Sequence, residues 1–235
     1  MRNVIIIPTY NERENIKALI PLVFKLIPTI SIVVADDNSP DGTAVAVIEL
    51  KKQYLNLSLI SRKQKDGLGK AYINAFLQIL QDKDIRSVIM MDADFSFQLR
   101  YLPEMIKKSE DYSVVIGSRY VSGSKIIGWG LWRKVLSFFG NFYCNIILRM
   151  PIHDYTCGFN VISAEFLRKV DFSEMDASGY AFILELKYLL HKSGATFFEV
   201  PIIFVDRIEG KSKISSHIIS EGVLAPWKMI MRKYK

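Results

Sequence analysis

Two cysteines, three histidines and three tryptophans are scattered through 235 residues, and that scarcity excludes several chemistries. Cys144 and Cys157 form no CxxC and no disulfide framework, so both are expected to be buried or idle thiols in a reducing compartment. His153, His191 and His217 have no metal-ligand spacing, which leaves them core or surface roles. No window approaches the roughly 18 apolar residues of a membrane-spanning helix. The apolar run 4–7 behind Met1 is too short for a signal peptide. Neither GxSxG nor GxGxxG occurs, which removes most support from hydrolase and dinucleotide-dehydrogenase readings. With 8 prolines and 13 glycines, the chain is neither collagen-like nor of low complexity.

What is present is 50% hydrophobic and 23% charged, enough for a sizeable core in one α/β domain. Lys and Arg number 31 against 24 Asp and Glu, a formal charge of +7. An anionic partner is therefore expected: nucleic acid, an acidic membrane face or phosphorylated substrates. The basic residues form no stripe and no recognition motif, so nucleic acid is not expected. The site, if there is one, binds smaller anions or a membrane. The protein is expected in the cytoplasm, soluble or on a membrane surface.

The first half alternates short apolar runs with helical patterns. Strands are expected over 4–7, 31–35, 57–60, 88–91 and 114–117, with Pro8 stopping the first. Helices are expected through about 25, over 43–53, 70–81 and 102–109, the first opened by a capping box of Asn11 and Glu14. Strands apolar on both faces and alternating with helices imply a mostly parallel sheet flanked by helices. Right-handed crossovers place each post-strand loop at one carboxyl edge, where ligands bind. The second half is less regular: an aromatic-rich helix over 131–150, another over 180–191, a strand over 197–200 and an amphipathic tail over 216–235.

Chemistry concentrates at that edge. Asp92-Ala93-Asp94 follows a buried strand, and two carboxylates so close repel unless a cation neutralises them. Hard oxygens suit Mg²⁺ or Mn²⁺ bridging to phosphates; an ordinary polar turn with Asp94 as a cap remains open. Glu12 follows the first strand, and Asp36 and Asp37 the second; they suit ribose hydroxyls and base N–H groups, or serve as caps, the expectation for Asp41. Arg119, Arg133, Arg207 and Lys213 supply forks and point charges for phosphate oxygens. Gly67-Leu68-Gly69-Lys70 is only a fragment of a phosphate loop.

These stretches together resemble a known family. Pro8-Thr9-Tyr10-Asn11-Glu12, the 36–43 turn, Asp92-Ala93-Asp94, Gly117-Ser118-Arg119-Tyr120, Trp129 with Arg133 and Asn141, Gly179-Tyr180 and Glu199-Val200-Pro201 through Arg207, Gly210, Ser212 and Lys213 are similar to family-2 glycosyltransferases of GT-A fold. Within these the similarity is to dolichol-phosphate mannose synthases and their polyprenyl-phosphate relatives, over about residues 3–213. The resemblance implies a catalytic domain over 1–215 and a basic-aromatic tail over 216–235. It implies donor contacts from Pro8, Tyr10, Glu12, Ala35, Asp37, Asp92, Ala93, Asp94, Arg119, Arg207 and Lys213, with a divalent metal on Asp92 and Asp94. Arg133 and Ser137 would meet the acceptor phosphate, and Asp94, Arg119 and Arg207 would be catalytic. Three positions depart from the pattern: Asn160 for a usual Arg, Ile183 for a frequent Gln and Ser96 for a Gln.

The reaction so implied is inverting transfer of a hexose, mannose from GDP-mannose, onto a polyprenyl (dolichyl) monophosphate. UDP-glucose is the alternative donor, and a non-catalytic nucleotide-binding subunit the alternative role. A phosphomonoester is already an anion at neutral pH, its second pKa being about 6, so no general base is required. Glu185, the isolated acid of the second half, is accordingly expected to be structural. The aromatic segment and tail are expected at the cytosolic face of a membrane, peripherally or with a small membrane subunit.

Overall fold

The computed structural model describes residues 1–175, 181–206 and 216–232. In chain order the elements are β1 (Arg2–Thr9), α1 (Arg13–Leu26), β2 (Ser31–Asp36), α2 (Thr43–Lys51), β3 (Leu57–Ser61), α3 (Leu68–Ile79), β4 (Ile85–Met90), α4 (Leu102–Lys108) and β5 (Val114–Ser118). Then follow β6 (Lys125–Ile127), α5 (Leu131–Leu148), β7 (Asn160–Ser163), α6 (Ala164–Leu167), α7 (Ala181–Lys192), β8 (Phe197–Pro201), β9 (Ile203–Val205) and α8 (Ser216–Met231). Seven strands form one sheet in the order β3-β2-β1-β4-β7-β5-β8, and β6 pairs with β9 in a small second one. The mixed α/β expectation, a mainly parallel central sheet between helices, is met.

Burial explains the β1 run. Ile5, Ile6 and Ile7 are fully buried and every residue of β2 is buried, so both faces of these strands are covered. Each such side chain contributes about 1.5–3 kcal/mol relative to exposure. Pro8 does not stop the strand, which runs to Thr9. Pairing with β4 ends at Ile6–Met90, whereas pairing with β2 continues through Pro8–Ala35 and Thr9–Asp36. The missing N–H of Pro8 therefore falls where no β4 partner remains.

The expected capping box does not form. Asn11 is left-handed at φ 60, and Glu12 at the N-cap of α1 makes no side-chain cap. The acceptors come instead from the loop after β2. Ser39 Oγ takes the Asn11 N–H at 3.0 Å, Thr43 Oγ1 that of Glu12 at 3.1 Å, and Asp41 Oδ2 that of Arg13 at 3.0 Å. Donors orphaned at a helix start must be satisfied somewhere, and here a segment 28 residues away does it.

Beyond β5 the sheet admits one reversed strand. β7 runs antiparallel to both β4 and β5, so β4 and β5 are parallel to each other. Helix α8 is not a detached tail over its described part. Ala225 and Met229 are buried, and Trp227 Nε1 donates at 2.8 Å to Tyr143 Oη, which in turn donates at 2.8 Å to the Val223 carbonyl.

Candidate functional site

Because β1, β2, β4 and β5 share one direction, their carboxyl ends deliver Tyr10, Asp37, Asp92 and Arg119 to one rim of the sheet. On the β2 side, Ala35 is fully buried and Asp37 nearly so, while Tyr10 is about one-third exposed beneath Lys65, whose Nζ sits 3.8 Å from the ring centroid. Asp37 forms a short ion pair with Arg62. Burial pushes the Asp37 carboxyl above its usual range, and the Arg62 guanidinium offsets only part of that. Glu12 takes a hydrogen bond from Asn15 Nδ2 at 2.6 Å.

Asp36 has a different task. Its carboxylate, 1% exposed, accepts from Thr9 Oγ1 at 2.9 Å and from the N–H and hydroxyl of Ser39 at 3.0 and 2.6 Å. It builds the loop. Asp41 builds it too, accepting from the Thr43 N–H and hydroxyl as well as from Arg13.

At the end of β4 the chain continues one step in register, Met91 N–H donating to Ile6 O at 3.3 Å, and then turns. Phe95 adopts φ 58, and Asp94 Oδ1 accepts the Ser96 N–H at 3.1 Å. Asp92 and Asp94 are both partly exposed. Beneath Asp92 lies Tyr72, fully buried. Burial, with the Asp92 charge second, raises the Tyr72 pKa well above its ordinary value, so this phenol stays protonated. Among the described residues no three His, Cys, Asp or Glu side chains form a metal cage. Two carboxylates on one short loop nevertheless fit a hard divalent cation that takes its remaining ligands from phosphate oxygens and water.

The cationic residues gather around Trp129. The Arg133 guanidinium lies 4.1 Å and that of Arg119 5.5 Å from the indole centroid. Arg119 also flanks the Tyr120 ring, whose hydroxyl donates to Ser137 Oγ at 2.6 Å. Arg119, Arg133 and Ser137 are thus brought together. Both arginines are held by carboxylates. Asp154, wholly buried, accepts from Arg119 Nε at 2.8 Å, Nη2 at 2.7 Å and the backbone N–H at 3.0 Å. Burial opposes ionisation of Asp154, but Arg119, together with the Lys187 charge, keeps the carboxyl below its usual range. Asp206 accepts from Arg133 Nη1 at 2.9 and 3.1 Å. Gly128 makes room for that pair: its φ is 91, and a Cβ there would stand 2.9 Å from the Asp206 Cβ. Two buried donors of this cluster, Arg133 Nε and Trp129 Nε1, have no hydrogen-bond partner among the described residues.

Acidic and cationic groups meet through β9. Ser96, two residues past Asp94, accepts the Val205 N–H at 3.3 Å through its carbonyl, and Asp206 follows directly in the chain. Phe204 bridges Phe97 and lies edge-on to both Phe97 and Trp129. Arg207, Lys213, Gly179, Tyr180, Gly210 and Ser212 lie outside the described residues. Sequence reasoning missed Arg62 and Asp154. The signal that found Arg119, a charged residue just past a strand, applies equally to Arg62 after β3; Asp154 had no local signal.

Comparison with known proteins agrees with this architecture. The glycosyl transferase family 2 model matches residues 4–171. An undecaprenyl-phosphate mannosyltransferase of Micrococcus luteus is 35% identical, the match covering 95% of this chain and 92% of that protein. A polyprenol monophosphomannose synthase of Mycolicibacterium smegmatis is 37% identical, with 96% and 86% covered. Among solved structures, mannosyltransferase PcManGT of Pyrobaculum calidifontis, in complex with GDP-Man and Mn²⁺, shares the fold at a TM-score of 0.65 and 18% identity, over 100% of this chain and 65% of that one. A glucosyl-3-phosphoglycerate synthase of Mycobacterium tuberculosis, with Mn²⁺, UDP and phosphoglyceric acid, does so at 0.67 and 16%, over 97% and 77%. With the family model spanning most of the chain and two relatives above 30% identity along nearly its whole length, this protein belongs to glycosyl transferase family 2.

Proposed function

We propose that the protein transfers mannose from GDP-mannose, with inversion, to a polyprenyl (dolichyl) monophosphate at a membrane surface. The observation that carries the reading is the cluster around Trp129. Two guanidiniums flank one indole there, and Arg133 Nε and Trp129 Nε1 are donors with no partner among the described residues. A phosphate monoester brings the anionic oxygens that such donors take. The names of both curated relatives support a polyprenyl-phosphate acceptor and a mannosyl donor.

In this reading Pro8, Tyr10, Glu12, Ala35 and Asp37 line the nucleoside side. Ala93 with Asp92 and Asp94 stands at the diphosphate, and Arg207 and Lys213 complete the donor contacts. Asp92 and Asp94 would hold Mg²⁺ or Mn²⁺, which when bound neutralises charge on the departing nucleoside diphosphate. Arg119, Arg133 and Ser137 orient the acceptor phosphate. That phosphate attacks as the anion it already is, so the protein needs no base. Glu185 fits this account: it is 2% exposed, with Arg232 Nη1 3.5 Å from its Oε1.

Helix α5 supports membrane contact. It buries Asn141, Cys144 and Leu148, while Trp132, Phe138, Phe139 and Phe142 are 54–74% exposed. On α8, Leu224, Trp227 and Met231 are exposed as well, with Lys228 and Arg232 nearby. No helix among the described residues is long and apolar enough to cross a membrane. An interfacial platform is the corresponding mode, and anionic lipid of the cytosolic leaflet adds about 1 kcal/mol per basic residue. Whether a small membrane subunit assists is decided by flotation of the purified protein alone on anionic liposomes. Co-migration supports direct attachment, and its absence points to a subunit.

The functional test is a donor panel against one short polyprenyl phosphate with Mn²⁺, scored as lipid-linked product. GDP-mannose is expected to be consumed far faster than UDP-glucose. A preference for UDP-glucose, or nucleotide binding without turnover of any sugar, would overturn the reading.

A further inference from the structure

Helix α7 carries a buried cation that the reading above leaves without a task. Lys187 is 1% exposed, and an ammonium so placed costs several kcal/mol unless its donors are used. Its Nζ donates to two backbone carbonyls, Asp154 O at 2.9 Å and Cys157 O at 3.0 Å. One side chain therefore grips both ends of the 154–157 turn. Other groups close the turn from different directions. Glu199 Oε1 accepts the Asp154 N–H at 2.9 Å, Asp154 Oδ1 the Cys157 N–H at 3.0 Å, and Asn160 Nδ2 donates to the Cys157 carbonyl at 3.0 Å.

What the turn touches gives the grip its meaning. At its start Asp154 fixes the Arg119 guanidinium through two hydrogen bonds, and Thr156 Oγ1 takes a third from Arg119 Nη2 at 2.8 Å. Just past its end, a Cβ on Gly158 would stand 3.9 Å from Asp92 Oδ2. Arg119 comes from the end of β5 and Asp92 from the end of β4, strands separated in the sheet by β7. This turn spans the gap between them.

We propose that Lys187 is a positioning residue: by clamping the 154–157 turn it sets the spacing between the Arg119 guanidinium and the Asp92 carboxylate. This rests on the phosphate-acceptor reading above, in which that spacing separates the attacking phosphate from the leaving diphosphate. A misplacement of about 1 Å costs such a reaction up to 10²-fold. The competing explanation is that Lys187 only fills the core. Methionine would then serve as well, since replacing buried ions with apolar side chains of similar size is often neutral for stability.

The experiment compares wild type, Lys187→Met and Lys187→Gln by thermal unfolding, by hydrogen exchange over 151–158, and by kinetics with GDP-mannose and a short polyprenyl phosphate. In folded Lys187→Met, exchange at the Thr156 and Cys157 amides is expected to rise about tenfold or more. Its kcat is expected to fall about 10- to 100-fold, with the donor KM within about twofold, because the nucleoside side is untouched. Lys187→Gln keeps a donor and should recover part of both. Wild-type exchange in Lys187→Met, or a loosened turn with unchanged kcat, overturns the proposal. If Lys187→Met does not fold, Lys187→Gln is judged by the same two readouts. If wild type transfers no sugar at all, the functional reading falls, and the exchange comparison alone decides whether the clamp exists.

Discussion

Around Asp37 the rim of the sheet is held by strand register, by one buried ion pair with Arg62 and mainly by short polar side chains that cap neighbouring backbone. Around Arg119 it is held by buried charge and stacked rings. In the first region Asp36, Ser39, Asp41 and Thr43 satisfy donors within one loop and the start of α1. In the second, Arg119 and Asp154 are paired with side chains 8% and 0% exposed, and Trp129 is shared by two guanidiniums. Under the proposed function the contrast would follow what each region binds. A nucleoside is recognised by fixed backbone and modest polar groups. A second anion brought against a diphosphate needs positive charge that cannot swing away, and burial with a matched carboxylate supplies that rigidity.

The comparison breaks most sharply at Asp92 and Asp94, the carboxylates proposed to hold the metal. Asp94→Ala is expected to lower kcat/KM by about 10³-fold while leaving the thermal transition within a few degrees. Assays over a range of Mn²⁺ concentrations check it; full activity in the variant would remove the metal from the account.

Next in size is the buried pair. Asp154→Asn keeps the shape but strands the Arg119 charge, so a loss of about 3–5 kcal/mol is expected in urea unfolding at pH 7. The sign with pH follows from the depressed carboxyl. Ionised Asp154 stabilises fully above about pH 4, where the unfolded carboxyl has titrated, and the contribution is lost as pH falls through its lower folded pKa. The gap between wild type and variant should therefore narrow in acid, and a gap independent of pH would contradict the pairing.

Asp41→Ala tests the other region more gently. Removing a cap shared by α1 and α2 should cost about 1–2 kcal/mol and change kcat by less than about twofold. Smallest of all, Glu185→Gln should retain most activity, since no base is required; near-total loss, measured on a correctly folded variant, would mean that the acid takes part in the chemistry.

The same contrast explains what was legible in the sequence. Strands β1, β2, β4 and β5 stand out because each carries an unbroken, buried apolar run, whereas the edge strand β3 is half exposed and interrupted by Ser58; the acids at the strand ends follow from topology alone. Ser137 came only through resemblance. The strands β6 and β9 are three residues each, too short to carry a pattern. The cap of α1 escaped because its acceptors lie 28 residues on, and Asp154 because its partner is 35 residues away. Local rules read local contacts, and caps or ion pairs that join distant segments escape them.

The most direct test of the central claim is the stereochemistry of the product made from α-linked GDP-mannose and a short polyprenyl phosphate, read by NMR of the anomeric carbon. A β-mannosyl phosphate is predicted, with a rate that rises with the second ionisation of the acceptor near pH 6 and is level above it. An α-linked product, or no lipid-linked mannose when donor, acceptor and Mn²⁺ are all saturating, would contradict the account.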